Sequence, residues 1–151
     1  MSSLNIAVVG EDAALRESIC KELAKKGSSD EIAFYNSIYQ GKIITCLDPV
    51  QFPQKIASLV FSLSLSNYCV LAANAVSPAV GEAIIALDLL GKKSGCVVSE
   101  NPDLLAPLLK NTALESWNRF SSITEARTEV LAFEPPMLDG PVKGVIDHAF
   151  E

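Results

Sequence analysis

Residues 4–23 read LNIAVVGEDAALRESICKEL, and this stretch indicates the fold of the chain. It begins with a short apolar run that ends at Gly10, which is typical of a buried parallel strand. Asp12 suits the N-cap of a following helix, and apolar residues then recur every four residues until Gly27. The stretch therefore predicts a strand, a tight turn and an amphipathic helix over about residues 13–26.

The remaining chain continues this alternation, with one exception at residues 32–47. There, two β-type runs flank Gly41-Lys42, which predicts an antiparallel hairpin. Helices are expected after Pro53, from Ser77-Pro78 to Gly91 and at about 102–110, and further strands at 68–73, 95–99 and 119–122. Strands that alternate with helices imply a mostly parallel sheet covered on both faces. We therefore expect an α/β domain with about six strands and one antiparallel edge strand.

Composition narrows the classes of function. The chain has 151 residues, 49% of them hydrophobic, which is enough for one domain with a real core. No apolar run is long enough for a membrane span and no secretory signal is recognisable, so we expect a cytoplasmic protein without a membrane partner. The net charge of −6 argues against DNA as a partner. The single histidine, His148, excludes most histidine-based catalytic and metal sites.

Four cysteines lie far apart in the sequence among apolar neighbours; they are Cys20, Cys46, Cys69 and Cys96. None forms a C-x-x-C pair, which is the spacing typical of metal or redox sites. We therefore expect buried free thiols.

The first strand–helix turn is the natural place to look for a phosphate-binding loop, G-x-x-x-x-G-K-[ST]. Gly10 and the four-residue spacer fit this pattern. The chemical positions depart from it, because Leu15, Arg16 and Glu17 stand where glycine, lysine and a hydroxyl are expected. A helix N-terminus still favours an anion. The residues alone leave both an ordinary turn and a weak anion site open.

The hairpin between the first two helices and the phrase GEAIIALDLLG at 81–91 resemble the G domain of translational GTPases. The resemblance is strongest to the archaeal SelB-like branch of the elongation factor Tu superfamily, at 23–39, 81–91 and 145–150. It implies a three-layer P-loop GTPase-like domain at residues 1–133. It also implies that residues 134–151 are a linker and the first strand of a following, truncated β-barrel domain.

The resemblance also implies where a nucleotide and a metal would bind. The cofactor would be GTP or GDP with Mg²⁺, and an absence of any cofactor is the equal alternative. The nucleotide-binding positions would be Gly10, Asp12, Ala13, Ala14, Leu15, Arg16, Glu17, Ser18 and Asp103. Asp103 would accept a hydrogen bond from the guanine edge, and Asp48 would hold Mg²⁺ through water.

Several positions depart from the family pattern. Gln51 stands where a glycine amide would meet the γ-phosphate, and Glu100 and Asn101 depart from the base-binding motif. Few residues separate Gly27 from the next strand, so the first switch segment is nearly absent. Because hydrolysis needs an ordered metal, a polarised γ-phosphate and a positioned water, we expect a hydrolysis-deficient domain with no catalytic residue.

The expected role is in translation or as an interaction module. Its partners would be the translation machinery or tRNA, with homo-association through the C-terminal strand as a further option. One alternative is an elongation-factor G domain that still binds GTP or GDP weakly. Another is a non-enzymatic module that docks a protein or RNA. A phosphoacceptor receiver domain fits less well, because the strand at 95–99 is not followed by the lysine that such a domain needs.

Overall fold

The computed structural model describes residues 2–135 of the chain. The barrel strand expected near the C-terminus, and the linker from residue 136 onward, lie outside the described residues. That expectation stays a prediction. Within the described part, no helix is long and apolar enough to cross a membrane.

Within residues 2–135, a sheet of seven strands forms the centre of the domain, in the order β2-β3-β4-β1-β5-β6-β7. The strands are β1 (Ser3–Val9), β2 (Lys25–Ser29), β3 (Ala33–Tyr39), β4 (Lys42–Asp48), β5 (Tyr68–Ala72), β6 (Gly95–Val98) and β7 (Asn118–Phe120). Five neighbouring strands, from β4 to β7 in the sheet order, are parallel. The strands β2 and β3 run antiparallel at one edge. The expected α/β class with an antiparallel edge is confirmed.

Strand β2 is the main departure from the sequence prediction, which continued the first helix to residue 26. The helix ends at Leu23, Ala24 is extended, and Lys25 and Lys26 pair with β3. All five β2 residues are exposed, so the strand has no apolar alternation that could have revealed it. The antiparallel edge therefore has two strands and the sheet has seven.

The described part of the chain has five helices that cover the sheet: α1 (Ala13–Leu23), α2 (Ile56–Leu65), α3 (Pro78–Leu89), α4 (Ala106–Leu109) and α5 (Ile123–Ala132), with a 3₁₀ turn at Pro102–Leu105 before α4. The predicted start of α3 is confirmed, because Ser77 caps the helix through the Val80 amide and Pro78 is its first residue. The helix expected from Pro53 begins three residues later, after a turn.

Helix α5 was not predicted, although its capping residues are visible in the sequence. The Ser122 hydroxyl accepts from the Glu125 amide, and the Glu125 carboxylate accepts from the Ser121 amide in return. This reciprocal arrangement is a variant of the capping box. The sequence prediction instead places residues 121 and 122 in a strand at 119–122, whereas β7 ends at Phe120.

The core consists of two apolar layers, one on each face of the sheet. Side chains of β1 alternate between them: Ile6 and Val8 face α1 and α5, while Ala7 and Val9 face α2, α3 and α4. Each fully buried Leu or Ile contributes roughly 1.5–3 kcal/mol to folding. This two-sided burial fixes the carboxyl ends of the parallel strands, where ligands bind in sheets of this kind.

Candidate functional site

The turn between β1 and α1 is short. Only Gly10, Glu11 and Asp12 separate the last residue of β1 from the first residue of α1. Gly10 has a φ of +146°, and a Cβ at this position would overlap the carbonyl oxygen of Ala72 in β5. The glycine is therefore required by the close approach of two backbones, whether or not an anion binds nearby.

Asp12 caps helix α1 with its own side chain. Its Oδ1 accepts from the amides of Ala14, at 3.0 Å, and Leu15, at 3.2 Å. These are helix N-terminal amides of the kind that hold a phosphate in a phosphate-binding loop. Here the Asp12 carboxylate already accepts hydrogen bonds from these two amides.

Residues 13–18, which the motif pattern places in and just after a phosphate loop, are all helical. Leu15 is half-buried and packs against the core layer beside α1. Glu17 forms an exposed ion pair with Lys21, one turn later, at 2.8 Å, and the hydrogen bond and charge of Lys21 lower the Glu17 pKa. Ala13 and Ser18 are exposed. The turn has only three residues and the helix begins at Ala13. Little backbone is therefore left to wrap around a phosphate.

Arg16 is fully buried and its guanidinium is bound on every nitrogen. Its Nε donates to Asp48 Oδ1 at 2.8 Å, and its Nη2 donates to the carbonyl oxygen of Phe52 at 3.2 Å. Its Nη1 donates to the carbonyl oxygens of Gly10 and Glu11. One side chain thus ties the end of β1, the end of β4 and the turn after β4 together.

Asp48 is the partner that balances the Arg16 charge. It is the last residue of β4 and only 3% exposed. Burial raises the pKa of the Asp48 carboxyl, and the hydrogen bond and positive charge of Arg16 oppose that rise. Because the Arg16 Nε lies 2.8 Å from Asp48 Oδ1 and both side chains are buried, the pair is a buried salt bridge at the carboxyl edge of the sheet.

The other predicted positions lie further along the same edge. Asp103 is exposed in the 3₁₀ turn after β6. Strand β6 is separated from β1 by β5, so Asp103 follows a different strand from the turn. Its neighbours Glu100 and Asn101 donate their amides to Asn74 and Ser99. The structure thus brings Gly10, Arg16 and Asp48 into contact, whereas Asp103 stands apart.

A shallow cavity of about 290 Å³ opens at this edge between β1 and β5, lined by Glu11, Asp12, Ala73, Asn74, Ala75 and Val80. Its charged side chains are both acidic. Residues 2–135 contain no group of three or more His, Cys, Asp or Glu side chains arranged to hold a metal ion. The cavity therefore offers no positive charge to a phosphate and no ligand cluster to Mg²⁺.

Sequence analysis missed the Arg16–Asp48 ion pair. One signal was available, because Arg16 has helical spacing with Ile19, Cys20 and Leu23, the residues of α1 that are buried. An arginine on a buried helix face needs an internal partner. The expected buried free cysteines are confirmed: Cys20, Cys46, Cys69 and Cys96 are all buried and unpaired.

Comparisons with known proteins give a relative by sequence and solved structures of similar fold. No protein-family model matches the chain. A protein of Methanocaldococcus jannaschii described as uncharacterized is 33% identical over 143 residues, which cover 89% of this chain and 45% of that protein. The chain thus spans less than half the length of this curated relative.

A solved structure has a similar fold. It is the crystal structure of translation elongation factor SelB from Methanococcus maripaludis in complex with the GTP analogue GppNHp. The TM-score is 0.65 at 14% sequence identity, and the match covers 99% of this chain and 34% of that chain. At this identity the similarity shows the fold alone, and it confirms the expected GTPase-like α/β architecture.

Proposed function

We propose that this chain is a translational GTPase-like domain that does not hydrolyse GTP and acts as an interaction module in translation. The observation that carries the proposal is the buried ion pair between Arg16 and Asp48. In the family pattern these two positions serve the phosphates and Mg²⁺. In this chain each group binds the other.

The turn supports the same proposal. A phosphate loop leaves several backbone amides free to hold the anion. Here the Ala14 and Leu15 amides are bound to Asp12, and Glu11 and Asp12 line the cavity beside them. A polyphosphate would have to displace a carboxylate and would meet like charge. The residues present therefore do not fit GTP with Mg²⁺.

The assignment to translation rests on the fold shared with an elongation factor and on the quoted sequence resemblance. Translation components or tRNA would be the partners. The acidic charge of the chain favours a protein surface over an RNA backbone as the first contact.

A second candidate is a domain that still binds a guanine nucleotide weakly. Two observations favour it: Asp103 is exposed after β6, and the structural neighbour was solved with a GTP analogue. In this case Asp103 would bind the guanine base, and the turn between β1 and α1 would add little affinity for the phosphates.

A phosphate-release assay with GTP and Mg²⁺ tests the proposal. We expect no Mg²⁺-dependent release above the protein-free blank, because residues 2–135 contain neither a cluster of metal ligands nor a free phosphate loop. Release that requires Mg²⁺ and disappears in Asp103→Ala would contradict the proposal. Glu22→Ala, an exposed change at the far end of α1, is the matched control and should retain any genuine activity.

A further inference from the structure

A shallow groove of about 520 Å³ lies at the carboxyl end of helix α1, where strand β2 begins. Four of its lining residues are basic, namely Lys21, Lys25, Lys26 and Arg127, and Glu22 is the only acidic one. The whole chain has a net charge of −6, so this basic groove concentrates positive charge on an otherwise acidic protein. A local field of this sign attracts anionic groups.

Lys25 and Lys26 are exposed because the chain leaves the helix before them. Helix α1 ends at Leu23, Ala24 is extended, and both lysines belong to the edge strand β2. In a longer helix they would have stabilised the last helical carbonyls. Within residues 2–135, neither lysine takes part in an ion pair, whereas Lys21 is paired with Glu17. The charges of Lys25 and Lys26 can therefore serve a partner.

Arg127 on α5 is held in place at the side of the basic groove. Its Nε donates to the carbonyl oxygen of Glu22 at 3.2 Å, and its guanidinium carbon lies 6.0 Å from the centre of the Tyr39 ring. In the described part of the chain, its two terminal nitrogens donate no hydrogen bond. A guanidinium oriented in this way can bind a carboxylate through two parallel hydrogen bonds and loses little freedom on binding.

The two ends of helix α1 have opposite electrostatic character. At the amino end, Glu11 and Asp12 line the cavity beside the turn. At the carboxyl end, eleven helical residues or about 16 Å further on, the basic groove begins. An anionic partner that is repelled at the turn is therefore attracted at the groove.

We propose that the basic groove binds a short acidic segment of a partner protein, with Lys25, Lys26 and Arg127 pairing its carboxylates. The inference rests on the proposed role as an interaction module and names the chemistry of the partner. Three cations without an internal ion pair complement two or three neighbouring carboxylates. An RNA strand carries charge on every nucleotide, so it would extend beyond the groove over an acidic surface. The limited size of the groove therefore favours a protein segment.

Fluorescence anisotropy with the full chain and a labelled acidic peptide tests the proposal. The probe is an eight-residue peptide in which four glutamates alternate with serines, and the control peptide has glutamine in place of glutamate. In about 50 mM salt we expect saturable binding of the glutamate peptide with a Kd below about 1 mM. The binding should weaken in about 300 mM salt, because exposed ion pairs are screened. The glutamine peptide should not bind.

Variants locate the site on the molecule. Lys25→Glu, Lys26→Glu and Arg127→Gln should each weaken binding at least about 3-fold, since each removes one exposed ion pair. Arg127→Lys should also weaken it, because lysine keeps the charge but lacks the planar fork. Lys110→Glu is the matched control for Lys25→Glu: it makes the same change in net charge at an exposed position outside the groove. It should change the Kd less than about 1.5-fold.

Circular dichroism should show all these variants folded, because the changed side chains are exposed. Three results would overturn the proposal. One is no binding of the glutamate peptide up to about 1 mM in about 50 mM salt. Another is an equal loss in Lys25→Glu and Lys110→Glu, which would assign the binding to net charge. The third is a twelve-nucleotide single-stranded RNA that binds more tightly than the peptide and depends on the same residues, which would assign the groove to RNA.

The outcome for the basic groove is separate from the outcome for GTP hydrolysis. The peptide assay contains no GTP, so a failure to bind would leave the proposed loss of hydrolysis intact. Phosphate release from GTP, in turn, would contradict the loss of hydrolysis and leave the measured peptide affinity unchanged.

Discussion

The guanidinium of Arg16 lies 2.8 Å from the carboxylate of Asp48, and their side chains are 0% and 4% exposed. The two residues are 32 positions apart, on a helix and a strand that contact each other. A buried pair of this kind is costly to break, because removing one partner leaves the other charge without compensation.

We predict that Asp48→Leu and Arg16→Met each destabilise the fold by about 3–5 kcal/mol, because each leaves one buried charge alone. The double variant should cost less than the two single variants together, since it leaves no charge unpaired. Urea unfolding of the four proteins measures this difference. Strictly additive losses would show that the pair is not coupled. Asp48→Asn, which keeps the shape, serves if Asp48→Leu does not fold.

Removal of the α1 cap should cost less stability than removal of a partner of the buried ion pair. Asp12→Ala should lower stability by about 1 kcal/mol, because the Ala14 and Leu15 amides lose their acceptor. Asp12→Asn should be nearly neutral, since asparagine caps helices about as well. Thermal unfolding compares the two variants. Equal losses would indicate that the charge of Asp12, rather than its cap, supports the turn.

Alanine substitutions at two glycines test where the fold requires a glycine and where it does not. Gly10→Ala should be strongly destabilising, because the added Cβ overlaps the Ala72 carbonyl oxygen and φ is +146°. Gly81→Ala, inside α3 and next to open space, should instead stabilise the fold by roughly 0.5–1 kcal/mol. A Gly10→Ala variant as stable as the parent would contradict the close packing of β1 on β5.

Thiol reactivity follows from burial. Desolvation raises the pKa of Cys46 and Cys96 to about 12 and that of Cys69 to about 11. Since the thiolate is the reactive form and these pKa values lie well above 8, the folded protein should hardly react with a thiol reagent at pH 8. All four cysteines should react once urea unfolds the chain. Rapid labelling of the folded protein would mean that a cysteine is open to solvent.

The local elements were predictable from sequence where a short-range signal existed. The apolar run before Gly10 identified β1, and Ser77-Pro78 identified the start of α3. Strand β2 was missed because Lys25–Ser29 has no apolar period and forms only through pairing with β3. The Arg16–Asp48 pair was missed for a related reason, since it depends on a contact between distant segments. The sequence alone could therefore place Arg16 in the turn region but could not say that its charge was already neutralised.

In the proposed function, contacts within the chain occupy the position where a nucleotide would bind. Titration calorimetry of the full chain with GDP and GTP, with and without Mg²⁺, measures whether that position is still available. We expect no saturable binding up to about 1 mM nucleotide, which corresponds to less than about 4 kcal/mol of binding free energy. Stoichiometric, Mg²⁺-dependent binding with a micromolar Kd, lost in Asp103→Ala and retained in Glu22→Ala, would contradict it.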